Sequence, residues 1–297
     1  MELGWLEDFL ALADSGNFSR AAEARHLTQP AFSRRIRALE EWVGVPLFDR
    51  HVQPVVPTAA GAVFRPVADE MLRRLHQGRE AARHAHSTQA QTLRFAATHS
   101  LSLTFFPNWL RELEENARPA SIRLDSDNMA ACENLLVQGQ CQFLLCHHAP
   151  GAATRLDAQH FRSAIVGHDR LVPVAAPGIA PLPGTEEAPL PWLAYSESSG
   201  VGRAIDAALL ARTRPAHLER VFTSHLATVL RAMARDGRGM AWLPLSLIEE
   251  DLAAGILVPV GGEDWVVAAD IRIFRPRERL SPAAEAFWTI VAATERD

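Results

Sequence analysis

One stretch of this chain can be drawn as a helix in only one orientation. From Thr28 to Gly44, the apolar residues Phe32, Ile36, Leu39 and Val43 recur at steps of four, three and four, so they line one face of a 3.6-residue helix. Thr28 is placed to cap its start, with Gln29 and Pro30 in the first turn, where proline costs little because that N–H has no intrahelical partner. Gly44 stops it. Upstream, Trp5, Leu6, Phe9, Leu10 and Leu12 fall at helical spacing until Gly16-Asn17, and Ser19 is the expected cap of a short second helix through Glu23. Downstream, Val45–Pro57 carries prolines at 46, 54 and 57, which suits a short β-wing better than a helix. A short helix, a tight turn and an amphipathic second helix present that second helix's polar side to solvent.

The polar side is basic. The chain contains no lysine, so all 30 of its basic residues are arginines, and the net charge is −5. That sum hides an asymmetry: residues 1–90 are neutral, with 11 Arg against 11 Asp and Glu, and the acidic excess lies beyond them. Within residues 19–37 stand Arg20, Arg25, Arg34, Arg35 and Arg37 against the single acid Glu23. A local cationic surface of this kind attracts phosphate.

From Thr58 to about His86 the pattern is one long helix, with Phe64, Val67, Met71, Leu75 and Ala82 forming a narrow stripe of three- and four-residue steps. So thin a stripe needs a partner, most simply a second copy of itself, and Phe64, Val67, Met71 and Leu75 are therefore the expected dimerisation residues. His84–Gln91 reads as a polar hinge. After Thr92 strands and helices alternate. Strands are expected at Leu93–Thr98, Ile122–Asp125, Phe143–Cys146, Leu171–Ala175, Trp192–Tyr195, Val221–Thr223, Met240–Leu243 and Val266–Phe274. Helices are expected near 103–116, 129–138, 202–212, 225–236, 244–254 and 281–294. The alternation argues an α/β fold with largely parallel sheets, and the proline-rich stretch Ala176–Pro191 is a surface loop. The fold class is thus α/β with an N-terminal all-α winged helix-turn-helix.

The chemistry of the first region is that of groove reading. With the apolar row turned inward, Pro30, Arg34 and Arg37 point outward, Ser33 flanks them, and Gln29 sits at the N-terminal end of the helix. Glutamine pairs with adenine N6/N7, arginine with guanine O6/N7, and serine with either. An ordinary helix pair with a solvated arginine face would show the same local composition. The wider pattern separates the two readings. It runs from Ala22 through Leu27, Gln29-Pro30, Ser33, Ile36, Leu39-Glu40, Gly44, Leu47-Phe48 and Arg50 to Thr58 and Gly61. This resembles, without a gap over about 60 residues, the DNA-binding domain of the LysR-type transcriptional regulators of bacteria.

The resemblance implies a plan: winged helix-turn-helix over 1–57, a dimerising linker helix and hinge over 58–91, and an effector-binding domain over 92–297. That domain would have two Rossmann-like lobes as in periplasmic binding proteins, one over about 92–166 and 267–297, the other over about 167–266. It implies a homodimer or homotetramer acting on double-stranded promoter DNA with dyad symmetry. Carried over by position, Gln29, Pro30, Ser33 and Arg34 are groove contacts, and Arg50 and Thr58 are phosphate contacts; Arg37 is added from helix geometry. Within the family, Gln29–Glu40 and Ala97–Leu103 are similar to the hypochlorite-responsive regulators, which would make the effector an oxidant.

On the family plan the chain crosses between the lobes near Val166–Arg170 and Glu263–Val267. Thr98, His99, Ser100 and Ser102, at the end of the first strand, offer hydroxyls and backbone N–H groups to an anion. Tyr195, Ser196, Ser198, Thr223 and Ser224 are expected to face them, each just beyond a strand end. Any of these serines and threonines also reads as a plain helix cap. Cys141 and Cys146 lie in or beside a core strand and read as inert, and Met129, Met233 and Met240 read as core before sensor. Cys146-His147-His148 lacks further ligands at zinc spacing, so no metal or cofactor is expected. A solute-binding protein or a hydrolase built on the α/β half is the competing class, with His99-Ser100 and Asp125 or Asp127 as an imaginable triad. No Gly-x-Ser-x-Gly elbow, Gly-x-Gly-x-x-Gly turn or phosphate loop supports catalysis. With no export signal at the start and no long apolar run, a cytoplasmic protein without membrane contact is expected, and not an enzyme.

Overall fold

The computed structural model describes residues 2–86, 92–114 and 121–293. The chain folds as two units, the first built from the helices and wing through residue 86 and the second from the strands and helices that follow.

In the first unit, α1 (Leu3–Ser15), α2 (Phe18–Ala24) and α3 (Gln29–Val43) are followed by a two-stranded wing and α4 (Ala59–His86). The wing pairs β1 (Phe48–Asp49) antiparallel with β2 (Val56–Pro57). Gly16 ends α1 with φ +59°, its N–H donating to Leu12 O at 2.9 Å, and Gly44 ends α3 the same way at φ +89°. The cap of α2 differs from the expectation. Asn17, not Ser19, holds the helix start, its Oδ1 accepting from Ser19 N at 2.9 Å and Arg20 N at 3.1 Å. Ser19 lies inside the first turn, too late to cap it. Thr28 precedes α3 without a side-chain cap bond.

Phe32, Ile36 and Leu39 are wholly buried, as the row of apolar positions requires, and they share a core with Phe9, Leu12, Leu47 and Phe48. The stripe on α4 divides. Phe64 packs its ring 5.2 Å edge-on from Phe9, and with Ala68 and Leu72 it belongs to the helical unit's own core. Phe64 is therefore not free for a dimer seam. Val67, Met71 and Leu75 are exposed, at 49, 42 and 48%. Phe64 and Val67 are only about 60° apart around a helix, so spacing alone does not tell which row a border residue joins. Of Ala82 only the backbone lies within the described residues, and the greater part of the expected hinge, residues 87–91, lies outside them.

The second unit begins with β3 (Thr92–Thr98), α5 (His99–Thr104), α6 (Phe106–Glu114), β4 (Ser121–Asp127), α7 (Met129–Val137), β5 (Phe143–His148) and β6 (Phe161–Ala175). It continues through β7 (Leu190–Tyr195), α8 (Gly200–Leu210), β8 (Leu218–Ser224), α9 (Ala227–Arg235), β9 (Ala241–Pro244), α10 (Leu245–Ala253), β10 (Val258–Pro259), β11 (Val267–Pro276) and α11 (Pro282–Ala293). The single helix expected near 103–116 is two, because Pro107 has no N–H to carry α5 onward and the chain restarts as α6.

Two apolar cores define two lobes. Phe95, Phe143, Trp109 and Phe287 centre the first, and Trp242, Leu193, Leu171 and Ile205 the second. Strands β3, β4 and β5 run parallel, as do β7 and β8. The strands that cross between lobes do not: β6 pairs antiparallel with β11, β9 and β10. The sheets are thus mixed rather than largely parallel, because one crossing strand goes out and the other returns. β6 is far longer than its apolar end, 15 residues from Phe161, since Gly167-His168-Asp169-Arg170 interrupts its hydrophobic pattern while the pairing with β11 continues on both sides of a register shift between Ile271 and Arg272. It serves the first core with Ala164 and Val166 and the second with Leu171 and Val174. β11 changes cores between Ala269 and Ile271, later than the 263–267 expected. No helix of the described residues is long and apolar enough to cross a membrane.

Candidate DNA-contact face and anion cavity

Burial sorts the arginines of the helix-turn-helix into two groups. Asp8, on α1 and fully buried, accepts from Arg25 Nε at 2.8 Å and lies 3.3 Å from Arg35 Nε; Arg25 also pairs with Glu7. Gly4 leaves room for this, since a Cβ there would fall 2.3 Å from Arg35 Nη2. Those two cations hold the three helices together. Gln29, Pro30, Arg34 and Arg37 are exposed along α3, with Ser33 half-buried beside them. Among the described residues no carboxylate pairs with Arg20, Arg34 or Arg37. The outward face of α3 thus keeps its charge for a polyanion.

The wing residue Arg50 is half committed. It pairs with Glu40 Oε2 at 2.6 Å and lies 5.3 Å from the Phe18 ring centroid. Glu40 Oε1 in turn accepts from Leu47 N at 2.9 Å, fastening the wing to α3. Thr58 caps α4, its Oγ1 accepting from Gly61 N at 3.1 Å and donating to Pro46 O at 2.9 Å. Gly61 permits the close approach, because a Cβ would lie 2.1 Å from Leu47 O.

In the second unit, α5, α7, α8 and α9 each follow a parallel strand within a few residues, and residues at their N-termini line one cavity. Thr98, His99, Ser100 and Tyr195 line it, joined by Asp127, Asn128, Met129, Ser199, Gly200, Val201, His225 and Ala227. Its water-accessible volume is about 20 Å³, little more than a single water requires (about 10–15 Å³). Two hydroxyls in its wall, Thr98 Oγ1 and Tyr195 OH, are buried with no hydrogen-bond partner. Burial, with Asp169 nearby, pushes the Tyr195 phenol up, so it stays protonated and able to donate. Ser199 Oγ caps α8 through Gly202 N at 3.2 Å, and Asn128 Oδ1 caps α7 through Ala131 N at 3.1 Å. Helix N-termini carry partial positive charge. Asp127 opposes that field, and its Oδ1 is turned onto Asn128 N at 2.7 Å and Nδ2 at 2.9 Å. The rings of His99 and His225, both of which line the cavity, stand 5.8 Å apart.

Of the nine effector positions expected, four line this cavity and five do not. Ser102 donates to His99 O at 2.8 Å and contacts Ser126 Oγ, also at 2.8 Å. Ser196 and Ser198 bond to each other at 3.0 Å. Ser224 Oγ accepts from Leu226 N at 3.1 Å, and Thr223 is exposed. Ser199 and Gly200 were missed because the start of α8 was expected at 202, two residues late. Asn128 and His225 carry a legible signal, each standing at a strand-to-helix junction. Gly200 makes space for Met129, whose Sδ would lie 3.4 Å from a Cβ there.

The three cysteines are buried and unpaired. Burial pushes the Cys132 thiol up to about 12, and raises Cys141 and Cys146 as well. Among the described residues no cluster of His, Cys, Asp and Glu is arranged to hold a metal.

A helix-turn-helix with a charged outward face, joined in one chain to a two-lobed α/β unit with a small cavity where helix N-termini meet, defines a one-component transcription regulator. Comparison with known proteins gives the family. Residues 3–62 match the bacterial regulatory helix-turn-helix protein, lysR family, and residues 86–296 match the LysR substrate binding domain. The chain is 33% identical to the HTH-type transcriptional regulator YjiE of Escherichia coli K12, over 97% of this chain and 93% of that one. Vibrio fischeri DarR, solved in complex with DNA, is 31% identical over 98% of both chains, with a TM-score of 0.56. Full-length HypT of Salmonella typhimurium, a hypochlorite-specific regulator, is 31% identical over 99% of this chain and 98% of that one, TM-score 0.56. The HypT regulatory domain, solved with bromide ion bound, is 26% identical over 70% of this chain and 96% of that one, TM-score 0.56. This chain belongs to the LysR-type transcriptional regulators. The relatives above are regulators too, and the solute-binding and hydrolase reading is not favoured.

Proposed function

We propose that this regulator reads a dyad-symmetric promoter through Gln29, Pro30, Ser33, Arg34 and Arg37, with Arg50 and Thr58 at phosphates, and that a small inorganic anion in the cavity sets its activity. The observation that carries the effector reading is the pair of unpartnered buried hydroxyls, Thr98 Oγ1 and Tyr195 OH. A buried polar group without a partner costs about 1–3 kcal/mol, and an acceptor bound by either hydroxyl removes that cost. Helix N-termini supply the matching charge, and about 20 Å³ suits a halide-sized ion better than a ring-bearing metabolite. The bromide in the HypT regulatory domain supports the same reading. The exposed Val67, Met71 and Leu75 support self-association through α4 into dimers, and family organisation supports tetramers. Action on promoter DNA implies a cytoplasmic protein.

The test is DNA affinity and melting temperature in bromide or chloride at constant ionic strength, with glutamate as the replacement anion. Halide is expected to raise the melting temperature and to change promoter affinity, and Tyr195→Phe with Thr98→Val to abolish both effects. Equal responses in wild type and double variant would remove the cavity from the account.

Met129 favours a second reading, in which the cavity admits a hypohalous acid. Its thioether lies against the site while the cysteines are held as thiols. The hypohalous acid would transfer its oxygen to Met129 Sδ, giving the sulfoxide and releasing halide and a proton to water. Peptide mass spectrometry after stoichiometric hypochlorite tests this, since Met129 must gain oxygen before Met71, which is exposed.

A further inference from the structure

A second, larger groove lies elsewhere in the effector unit and has no part in the site above. Its water-accessible volume is about 470 Å³, within the range of about 300–1,000 Å³ typical of pockets for organic ligands. Its polar wall is cationic: Arg162, Arg272 and Arg277 all line it. Asp270 engages Arg272 through Nε at 3.1 Å and Nη2 at 2.9 Å, which neutralises one charge and aims the guanidinium, whose Nη1 reaches Ser163 Oγ at 3.4 Å. Arg277 Nε is fixed to Ala158 O at 2.8 Å. Among the described residues neither Arg162 nor Arg277 pairs with a carboxylate. Two positive charges are left over.

The remaining wall is apolar, formed by Leu156, Phe161, Phe274 and Trp288. His148 adds a buried Nδ1 with no hydrogen-bond partner, its ring 6.0 Å from that of Phe274. Burial, and then Arg272, hold this imidazole below its ordinary range, so it stays neutral and adds no third charge. The groove therefore combines two uncompensated guanidinium groups, aromatic side chains in its wall and one orphaned ring nitrogen. Arginine forks bind carboxylates bidentately, and ligand pockets pair such polar anchors with aromatic walls.

We propose that this groove is a second ligand site, taking an aromatic dicarboxylate: one carboxylate on Arg162, the other on Arg277, with Ser163 beside them and the ring against Phe161 and Phe274. The site is independent of the anion cavity, and its occupant is too large to enter that one.

The experiment is isothermal titration of the full chain with isophthalate, beside benzamide (a ring without charge) and succinate (two charges without a ring). Isophthalate is expected to bind at submillimolar concentration, and both controls at least about tenfold more weakly. Arg162→Ala with Arg277→Ala should weaken isophthalate at least about tenfold with an unchanged urea midpoint, since both side chains are exposed. Should that pair unfold, Arg162→Lys with Arg277→Lys keeps the charge and is expected to lose less affinity than a single Arg162→Ala. Tyr195→Phe, in the other cavity, should leave isophthalate binding intact. Absence of isophthalate binding, equal binding by the double alanine variant, equal affinity for succinate, or loss in Tyr195→Phe would each overturn the proposal.

Discussion

Asp8 and Arg25 meet at 2.8 Å, the carboxylate fully buried and the guanidinium half-exposed. This pair turns one arginine of a basic segment into a structural member and, with Arg35, leaves the outward row of α3 to act alone. Asp8→Asn removes the charge from under two cations. It is expected to destabilise the helical unit by about 1.5–3 kcal/mol, measured by urea unfolding followed by circular dichroism.

Arg34→Ala should do the opposite. On an exposed helix face it changes stability by less than about 0.5 kcal/mol, yet it is expected to cost about 1–3 kcal/mol in binding a specific promoter fragment. Anisotropy titrations on specific and random duplexes check this, and a uniform loss on both would make Arg34 a phosphate contact instead.

The two rows of α4 should separate stability from assembly. Phe64→Ala opens a hole beside Phe9 and is expected to destabilise by about 2–3 kcal/mol. Met71→Glu with Leu75→Glu touches only exposed positions, so it should leave the urea midpoint nearly unchanged and lower the mass measured by light scattering.

Acid should weaken the C-terminal helix at a defined place. Arg275 grips Glu285 with two bonds of 2.8 Å, and its hydrogen bonds, against a smaller opposing effect of burial, hold Glu285 at about 2, below its ordinary 4.5. A carboxyl lowered on folding adds stability that is fully present above the unfolded value and disappears as pH falls through the folded one. The stability gap between wild type and Glu285→Gln should therefore be largest above about pH 4.5 and close towards pH 2. A gap independent of pH would show that the ion pair contributes nothing. Glu285 is about a third exposed, so solvent screening keeps the gap small.

Buried thiols should be silent. With the Cys132 thiol raised to about 12 and the other two raised as well, Ellman's reagent at pH 7.5 is expected to release no thiolate from native protein and all three after unfolding. Rapid reaction of any one in the native state would reopen cysteine as a sensor.

Much of this molecule could be read before it was seen, wherever neighbours in the chain are also neighbours in the fold. The α3 face, from Phe32 to Val43 inside and Gln29 to Arg37 outside, follows from helical period alone, whereas the meeting of Thr98 to Ser100 with Tyr195 at one cavity was expected only from the family resemblance. What the sequence could not decide was partnership across distance. It takes tertiary packing to give Arg25 and Arg35 to Asp8, to pull Phe64 onto Phe9, to run β6 through its polar centre, and to leave the Tyr195 hydroxyl without a partner. Local order depends on spacing, which a sequence records directly; desolvation and charge compensation depend on which surfaces meet, and only the folded chain settles that.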